Sequence, residues 1–156
     1  MENKNMKRNN IFEIYTGIIG LAALTAGTLN IIVWSGIYQT IDLGLFTVGG
    51  DDFFRWVWGS LVVMFGGIML ISGAKNIHKI EQFSKAFLGA VMIWIVAGTD
   101  IFAVVCENIP AGEESAEFFN SISGFISAFA PPYAPAVVLL PFTLVFVVYF
   151  FRNEEK

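Results

Sequence analysis

The chain has 156 residues, of which 56% are hydrophobic and 14% are charged, and its formal net charge is −4. Soluble globular domains contain about 25% charged residues, so this composition excludes an ordinary water-soluble domain and indicates a lipid-facing surface. A membrane-spanning helix needs about 20 apolar residues. The length therefore allows one membrane domain, residues 1–156, and leaves no room for a separate catalytic domain.

Four apolar segments separated by polar loops predict an all-α fold, an integral membrane four-helix bundle. The predicted spans cover about residues 11–34, 53–74, 86–106 and 132–151. We expect the first segment to be retained rather than cleaved as a signal peptide, because its apolar core exceeds the roughly 7 to 15 residues of such a peptide. Pro141 is expected to kink the fourth span.

Lysine and arginine are segregated to one side of this pattern. Eight of the nine lie in the two tails and in the loop between the second and third spans: Lys4, Lys7, Arg8, Lys75, Lys79, Lys85, Arg152 and Lys156. The other two loops are acidic, and Arg55 at the start of the second span is the exception. Because cytoplasmic loops of membrane proteins are enriched in Lys and Arg, both ends are predicted in the cytoplasm (N-in/C-in) of a multi-pass cell membrane protein. The basic residues indicate topology and not nucleic-acid binding.

A short amphipathic helix is predicted before the fourth span, over about residues 114–130. Phe118, Ile122, Phe125 and Phe129 recur there at helical spacing among acidic and polar residues. Such a helix would lie at the outer interface, either packed over the mouth of the bundle or attached to lipid. In the other outer loop, residues 39–52 between the first and second spans, apolar and polar residues alternate, which predicts a strand-like segment.

Small residues recur along the first three spans at intervals of seven. They are Gly20, Gly27, Gly59, Gly66, Gly73, Ala90 and Ala97. Lipid tails are as apolar as leucine, so membrane helices associate through close backbone approach at small-residue faces. These residues are therefore predicted at helix contacts, either within one chain or between copies in a homo-oligomer.

Polar groups inside the predicted spans define a candidate site. A carboxylate inside a bilayer costs about 3 kcal/mol or more unless it is protonated, paired or in contact with water. Asp100 is such a group, roughly 9 Å inside the outer end of the third span at about 1.5 Å per residue. Arg55, Asn30 and Thr28 are predicted at the same depth, so the four form one intramembrane polar cluster.

The cluster has two interpretations. Asp100 either pairs with Arg55 and fixes the second helix against the third, or it serves as a cation or proton site beneath an acidic outer vestibule. Arg55 could instead extend outward to Asp51 or Asp52. Both interpretations place the polar groups in the outer third of the bundle.

The sequence contains no pattern typical of catalysis. His78 is the only histidine and lies in the basic loop without neighbouring carboxylates, and Cys106 is the only cysteine and is expected as a buried apolar thiol. Neither provides a ligand set or an activated nucleophile. The sequence therefore predicts no metal site, no cofactor and no enzyme activity.

The segment between Gly17 and Asp100 resembles small four-helix membrane proteins of prokaryotes that have no assigned activity. The similar features are the end of the first span, Leu29-Asn30-Ile31-Ile32, the aromatic entry to the second, Trp56-Val57-Trp58-Gly59, and the hairpin into the third. This resemblance implies the four-helix membrane fold and no substrate. The acidic segment 113–117 and the Pro-rich start of the fourth span depart from the pattern.

These observations predict a non-enzymatic membrane protein, an accessory or scaffold subunit that binds partner helices through small-residue faces. The alternative is a small oligomeric cation or proton channel or transporter that uses Asp100. The predicted partners are the lipid bilayer and either further copies of the chain or a larger membrane complex, with no nucleic acid.

Overall fold

A computed structural model of the chain describes residues 2–50, 52–107, 122–123, 126 and 129–154, with the backbone alone for 2–10, 107 and 152–154. The fold is mostly helical, which confirms the predicted all-α class. The helices of the described residues are α1 (Glu2–Trp34), α2 (Gly59–Ala74), α3 (Ile80–Glu107), α4 (Pro135–Thr143) and α5 (Val145–Glu154). A π-helical turn, Phe54–Trp58, leads into α2.

Within the described residues, three helical segments are long and apolar enough to cross a bilayer. They are Ile11–Trp34 with 24 residues, Phe54–Ala74 with 21 and Ile80–Cys106 with 27. The segment Pro135–Phe151 is also apolar but is shorter, with 17 residues. At about 1.5 Å per residue it reaches roughly 25 Å, slightly less than the ~30 Å hydrocarbon core of a bilayer.

Two helices begin earlier than the predicted spans. α1 starts at Glu2 and α3 starts at Ile80, six residues before the predicted boundary at residue 86. The prediction placed the boundary where apolar residues begin, whereas a helix can continue beyond its apolar part through good helix formers such as Glu81 and Gln82. The loop between α2 and α3 is correspondingly short.

The last helical segment is interrupted at Leu144 and continues through Pro141. Pro141 has no N–H to donate to the carbonyl one turn earlier. The N–H of Leu144 still donates to the Leu140 carbonyl (3.1 Å), and the N–H of Val147 then bonds to the Leu144 carbonyl (3.0 Å), which begins α5. The discontinuity thus falls three residues after the predicted kink.

The helices form an antiparallel ring in which α1 packs on α2, α2 on α3, and α4 on both α3 and α1. One end of the ring, here called the tail end, carries the loop between α2 and α3. The opposite end, here called the hairpin end, carries strands β1 (Ile41–Asp42) and β2 (Thr47–Val48), which pair antiparallel. This hairpin corresponds to the strand-like segment predicted for the outer loop. The predicted outer helix, 114–130, lies almost entirely outside the described residues.

The interior toward the tail end is apolar and aromatic. Leu70, Ile77, Ile93 and Phe146 are completely buried. The Phe12 ring stacks on the Tyr149 ring at a centroid distance of 4.2 Å and also contacts Phe146. Among the buried polar side chains, Asn30, Ser60 and Asp100 lie toward the hairpin end, whereas Thr16 and Thr143 lie among these apolar residues.

Candidate polar site

Arg55 and Asp100 form the centre of the site. The Nε–H of Arg55 donates to Oδ1 of Asp100 at 3.0 Å, which joins the start of the second helical segment to α3. The Asp100 side chain is 9% exposed and that of Arg55 is 32% exposed. The two residues that the sequence places at one depth are thus an ion pair at the edge of the bundle, with the carboxylate on its inner side.

The π-helical turn positions Arg55 for this contact. Oδ1 of Asp52 accepts the backbone N–H of Arg55 at 3.0 Å, and the Asp52 carbonyl accepts the N–H of Trp56 at 2.9 Å. The guanidinium carbon lies 5.3 Å from the centre of the Trp56 ring, within the range of a cation–π interaction. Asp52 therefore holds the backbone while the Arg55 side chain pairs with Asp100, in contrast to the alternative in which Arg55 extends outward to Asp52. Asp51 lies outside the described residues.

Asn30 is buried and contributes to the same region by a different bond. Its Oδ1 accepts the N–H of Gly49 at 3.2 Å, which ties the chain after β2 to α1. Gly49 has a φ of +86°, and a Cβ there would collide with Val33, so a glycine is required at this close approach. Asn30 is thus a partner of the hairpin as well as a neighbour of the ion pair.

Thr28 does not join the cluster, and its predicted membership is corrected by the structure. Its side chain is exposed, and its hydroxyl donates to the Leu24 carbonyl of its own helix at 2.8 Å. The residues of α1 that face inward here are Gly27 and Asn30. Successive helical residues are about 100° apart around the helix axis. Thr28 therefore points away from the ion pair, although it lies at nearly the same level along α1 as Asn30.

Ser60 also belongs to the site, although it was not among the polar residues predicted from the sequence. It lines a water-sized cavity together with Asn30, Arg55, Asp100 and Ala136, so all four sides of the ring contribute. Its hydroxyl is buried, and no described residue bonds to it. The signal that could have identified it is its spacing of seven residues from Gly67 and of fourteen from Ala74, which are also buried in α2.

A second polar contact lies between α3 and α4. The indole N–H of Trp94 donates to Oγ1 of Thr143 at 2.7 Å, and Thr143 is completely buried. The Thr143 hydroxyl in turn bonds to the Leu140 carbonyl at 2.9 Å. This pair was not predicted from the sequence, because neither residue is unusual by itself in an apolar helix.

The predicted small residues lie at contacts within the chain. A methyl group at Gly66 would lie 2.8 Å from the Gly89 carbonyl oxygen of α3, and one at Gly20 would lie 2.9 Å from the Gly67 carbonyl oxygen of α2. Such distances are too short for a side chain, so the helix backbones touch there. The remaining predicted residues are also buried: Gly27, Gly59, Gly73, Ala90 and Ala97.

Other reactive side chains do not converge on the site. His78 is exposed at the tail end, and Cys106 is exposed, which corrects the expectation that it is a buried thiol. Glu13 accepts the backbone N–H of Asn76 at 2.9 Å and so orders the loop between α2 and α3. Within the described ranges, no three His, Cys, Asp or Glu side chains are grouped as a metal site would need.

No protein-family model matches this chain, and comparisons with curated proteins and with solved structures give no significant match.

Proposed function

We propose that this protein is a multi-pass integral membrane protein without enzymatic activity, and that it acts as an accessory or scaffold subunit in the cell membrane. The observation that carries the proposal is the apolar exterior of the bundle. Large hydrophobic side chains are exposed on α1, α2 and α3, including Ile18, Leu21, Ile68, Ile95 and Phe102. Exposed apolar surface of this extent fits a bilayer and would be unfavourable in water.

The proposed orientation places both termini and the tail end in the cytoplasm. Lys75, Lys79 and Lys85 are exposed at the tail end, and the hairpin end is acidic in sequence. This distribution agrees with the enrichment of Lys and Arg in cytoplasmic loops. Four spans, including the shorter segment Pro135–Phe151, complete the topology.

The side chains packed inside the ring of helices favour a scaffold role over the conduction of cations or protons. The carboxylate of Asp100 is occupied by Arg55, and the interior below it is filled by fully buried Leu70, Ile93 and Phe146. A cation path through one chain would need polar groups or water along its length. The surfaces left for partners are outward faces, such as that of α1, where Ala22 is exposed and Gly17 has open space beside it.

Reconstitution separates the two functions. Purified protein in liposomes is expected to give no cation or proton flux, and Asp100→Asn is expected to lower its stability without changing that background. Flux in the wild type that Asp100→Asn abolishes would overturn the scaffold proposal in favour of a channel or transporter.

Photo-crosslinking tests the accessory role directly. A photoreactive amino acid at Ala22 is expected to crosslink to a second membrane protein in intact membranes, and one at the buried position Ala23 is the matched control. If outward positions on α1, α2 and α3 all crosslink only to lipid, the protein does not act as an accessory subunit.

A further inference from the structure

A groove of about 380 Å³ runs between the second helical segment and α3 on the outside of the bundle. This volume is within the range of small-molecule binding sites. Its apolar wall includes Trp58, Val62 and Ile95, and the charged residues Asp52, Arg55 and Asp100 also line it. A groove with one charged region and an apolar remainder suits an amphipathic ligand.

Arg55 provides unused hydrogen-bond donors in this groove. Only its Nε–H engages Asp100, and no described residue bonds to either terminal amino group. A guanidinium with free terminal N–H groups binds phosphate oxygens well, because its planar donors match their spacing. The groove therefore has the donors for a phosphodiester.

The charges of the groove select among phosphodiesters. Asp52 and Asp100 together outnumber Arg55, so the three groups have a net charge of −1 when ionised. An anionic ligand would increase the negative charge, whereas a ligand with a cation beside its phosphate would neutralise it. Asp52 is exposed and uses only Oδ1 in its bond to the backbone of Arg55, so its second oxygen can accept a hydrogen bond from that cation.

We infer that this groove binds a phospholipid whose headgroup combines a phosphodiester with a primary ammonium, as in phosphatidylethanolamine. The phosphate accepts hydrogen bonds from the Arg55 terminal amino groups, the ammonium donates to Asp52, and an acyl chain lies along Val62 and Ile95. The inference rests on the proposed membrane insertion, which turns the groove toward the outer leaflet. A trimethylammonium headgroup cannot donate to Asp52, and a glycerol headgroup has no positive charge.

Native mass spectrometry of the purified full-length protein measures this selectivity. The protein is released from nanodiscs with equal amounts of phosphatidylethanolamine, phosphatidylcholine and phosphatidylglycerol that carry the same acyl chains. We expect phosphatidylethanolamine to be retained about tenfold over the other two, the effect of one charge-assisted hydrogen bond. Equal retention of the three lipids would overturn the inference.

Two variants locate the site. Asp52→Asn keeps an oxygen for the Arg55 backbone N–H but removes the charge, so the preference for phosphatidylethanolamine over phosphatidylcholine is expected to disappear. Thr99→Leu places a larger side chain in the groove and is expected to reduce retention of all three lipids. The melting temperature of each variant verifies that it is folded.

Thr25→Leu is the matched control for Thr99→Leu. Both threonines are exposed, and both donate their hydroxyl to a carbonyl of their own helix, Thr25 to Leu21 at 2.8 Å and Thr99 to Val96 at 2.7 Å. Thr25 is on α1, away from the groove, so Thr25→Leu is expected to retain lipid as the wild type does. Equal loss in both variants would contradict a site at the groove.

Two further results, a contact with a second copy and a failure of membrane insertion, can be distinguished from the presence or absence of a lipid site. A dimer mass that disappears in Thr99→Leu, without lipid selectivity, would show that the groove contacts a second copy and not a lipid. Failure of the proposed membrane insertion would appear instead as protein that alkaline carbonate releases from membranes, whereas failure of the lipid site leaves the protein in the membrane fraction.

Discussion

Asp100 is the residue whose environment defines the candidate site. Its carboxylate is almost completely buried, and its one ion-pair partner in the described part of the chain is Arg55 at 3.0 Å. A buried pair does not necessarily add stability relative to an apolar pair, but the loss of one partner leaves an uncompensated charge. The pair is therefore best tested by comparing single and double substitutions.

We predict that Arg55→Met alone destabilises the protein by about 1–3 kcal/mol, because it leaves the Asp100 carboxylate buried without its partner. Arg55→Met combined with Asp100→Leu is expected to recover most of this loss, since the buried charge is then removed. Chemical unfolding in detergent, carried out for both single variants and the double variant, measures the coupling. Additive effects of the two substitutions would show that the side chains do not interact.

Thr143 gives a second prediction about a single residue. Thr143→Val preserves the shape of the side chain but leaves the Trp94 indole N–H without its acceptor, so a loss of about 1–3 kcal/mol in unfolding free energy is expected. Thr25→Val removes a hydroxyl that bonds only within α1 and should change stability by less than about 0.5 kcal/mol. Equal effects of the two substitutions would exclude a stabilising bond between α3 and α4.

Among the elements, α2 is central because it packs on α1 and on α3 through different faces. Gly66 and Gly73 approach Gly89 and Ala86 of α3, whereas Gly67 approaches Gly20 of α1. Residues 66 and 67 are about 100° apart around the helix axis. The small residues at successive positions in α2 thus form two contact faces, one for each neighbouring helix.

Gly66→Ala is predicted to destabilise the bundle by about 1–3 kcal/mol, because the added methyl group would force α2 away from the Gly89 carbonyl. Gly98→Ala is the control: Gly98 lies in α3, is exposed and has open space around its Cα. This substitution should stabilise the helix by about 0.5–1 kcal/mol. Thermal unfolding in one detergent compares the two, and a Gly66→Ala variant as stable as the wild type would contradict the close contact.

At the scale of the whole molecule, the proposed membrane orientation rests on two features. The long apolar helices support insertion, and the distribution of basic residues supports a cytoplasmic tail end. Both features are consistent with four spans, the last of them the short segment Pro135–Phe151. The orientation predicts which positions a membrane-impermeant reagent can reach.

Cysteine labelling in intact cells tests this orientation. In a Cys106→Ser background, a cysteine at Ser115 is expected to react with an impermeant maleimide from outside, and a cysteine at His78 is expected to react only after the membrane is permeabilised. His78 is exposed, so burial within the protein would not explain its protection. Labelling of position 78 in intact cells would reverse the proposed topology.

The sequence by itself determined the helical class and the depth of the polar residues. Apolar length acts locally along the chain, so the approximate extents of the helices could be predicted, and so could the common level of Arg55, Asn30 and Asp100 within the bundle. The small residues could be predicted as helix contacts for the same reason, because their spacing sets which ones share a face. Helix starts were less predictable, since α1 and α3 continue beyond their apolar parts.

Only the tertiary structure decided which polar groups meet. Thr28 and Asn30 have the same depth, but the rotation of α1 buries Asn30 and exposes Thr28. The choice of Asp100 over the acidic loop as the Arg55 partner depends on how α2 and α3 are placed, and the Trp94–Thr143 bond depends on how α4 packs on α3. Distance along one helix is encoded locally, whereas rotation and pairing are fixed only when the helices pack together.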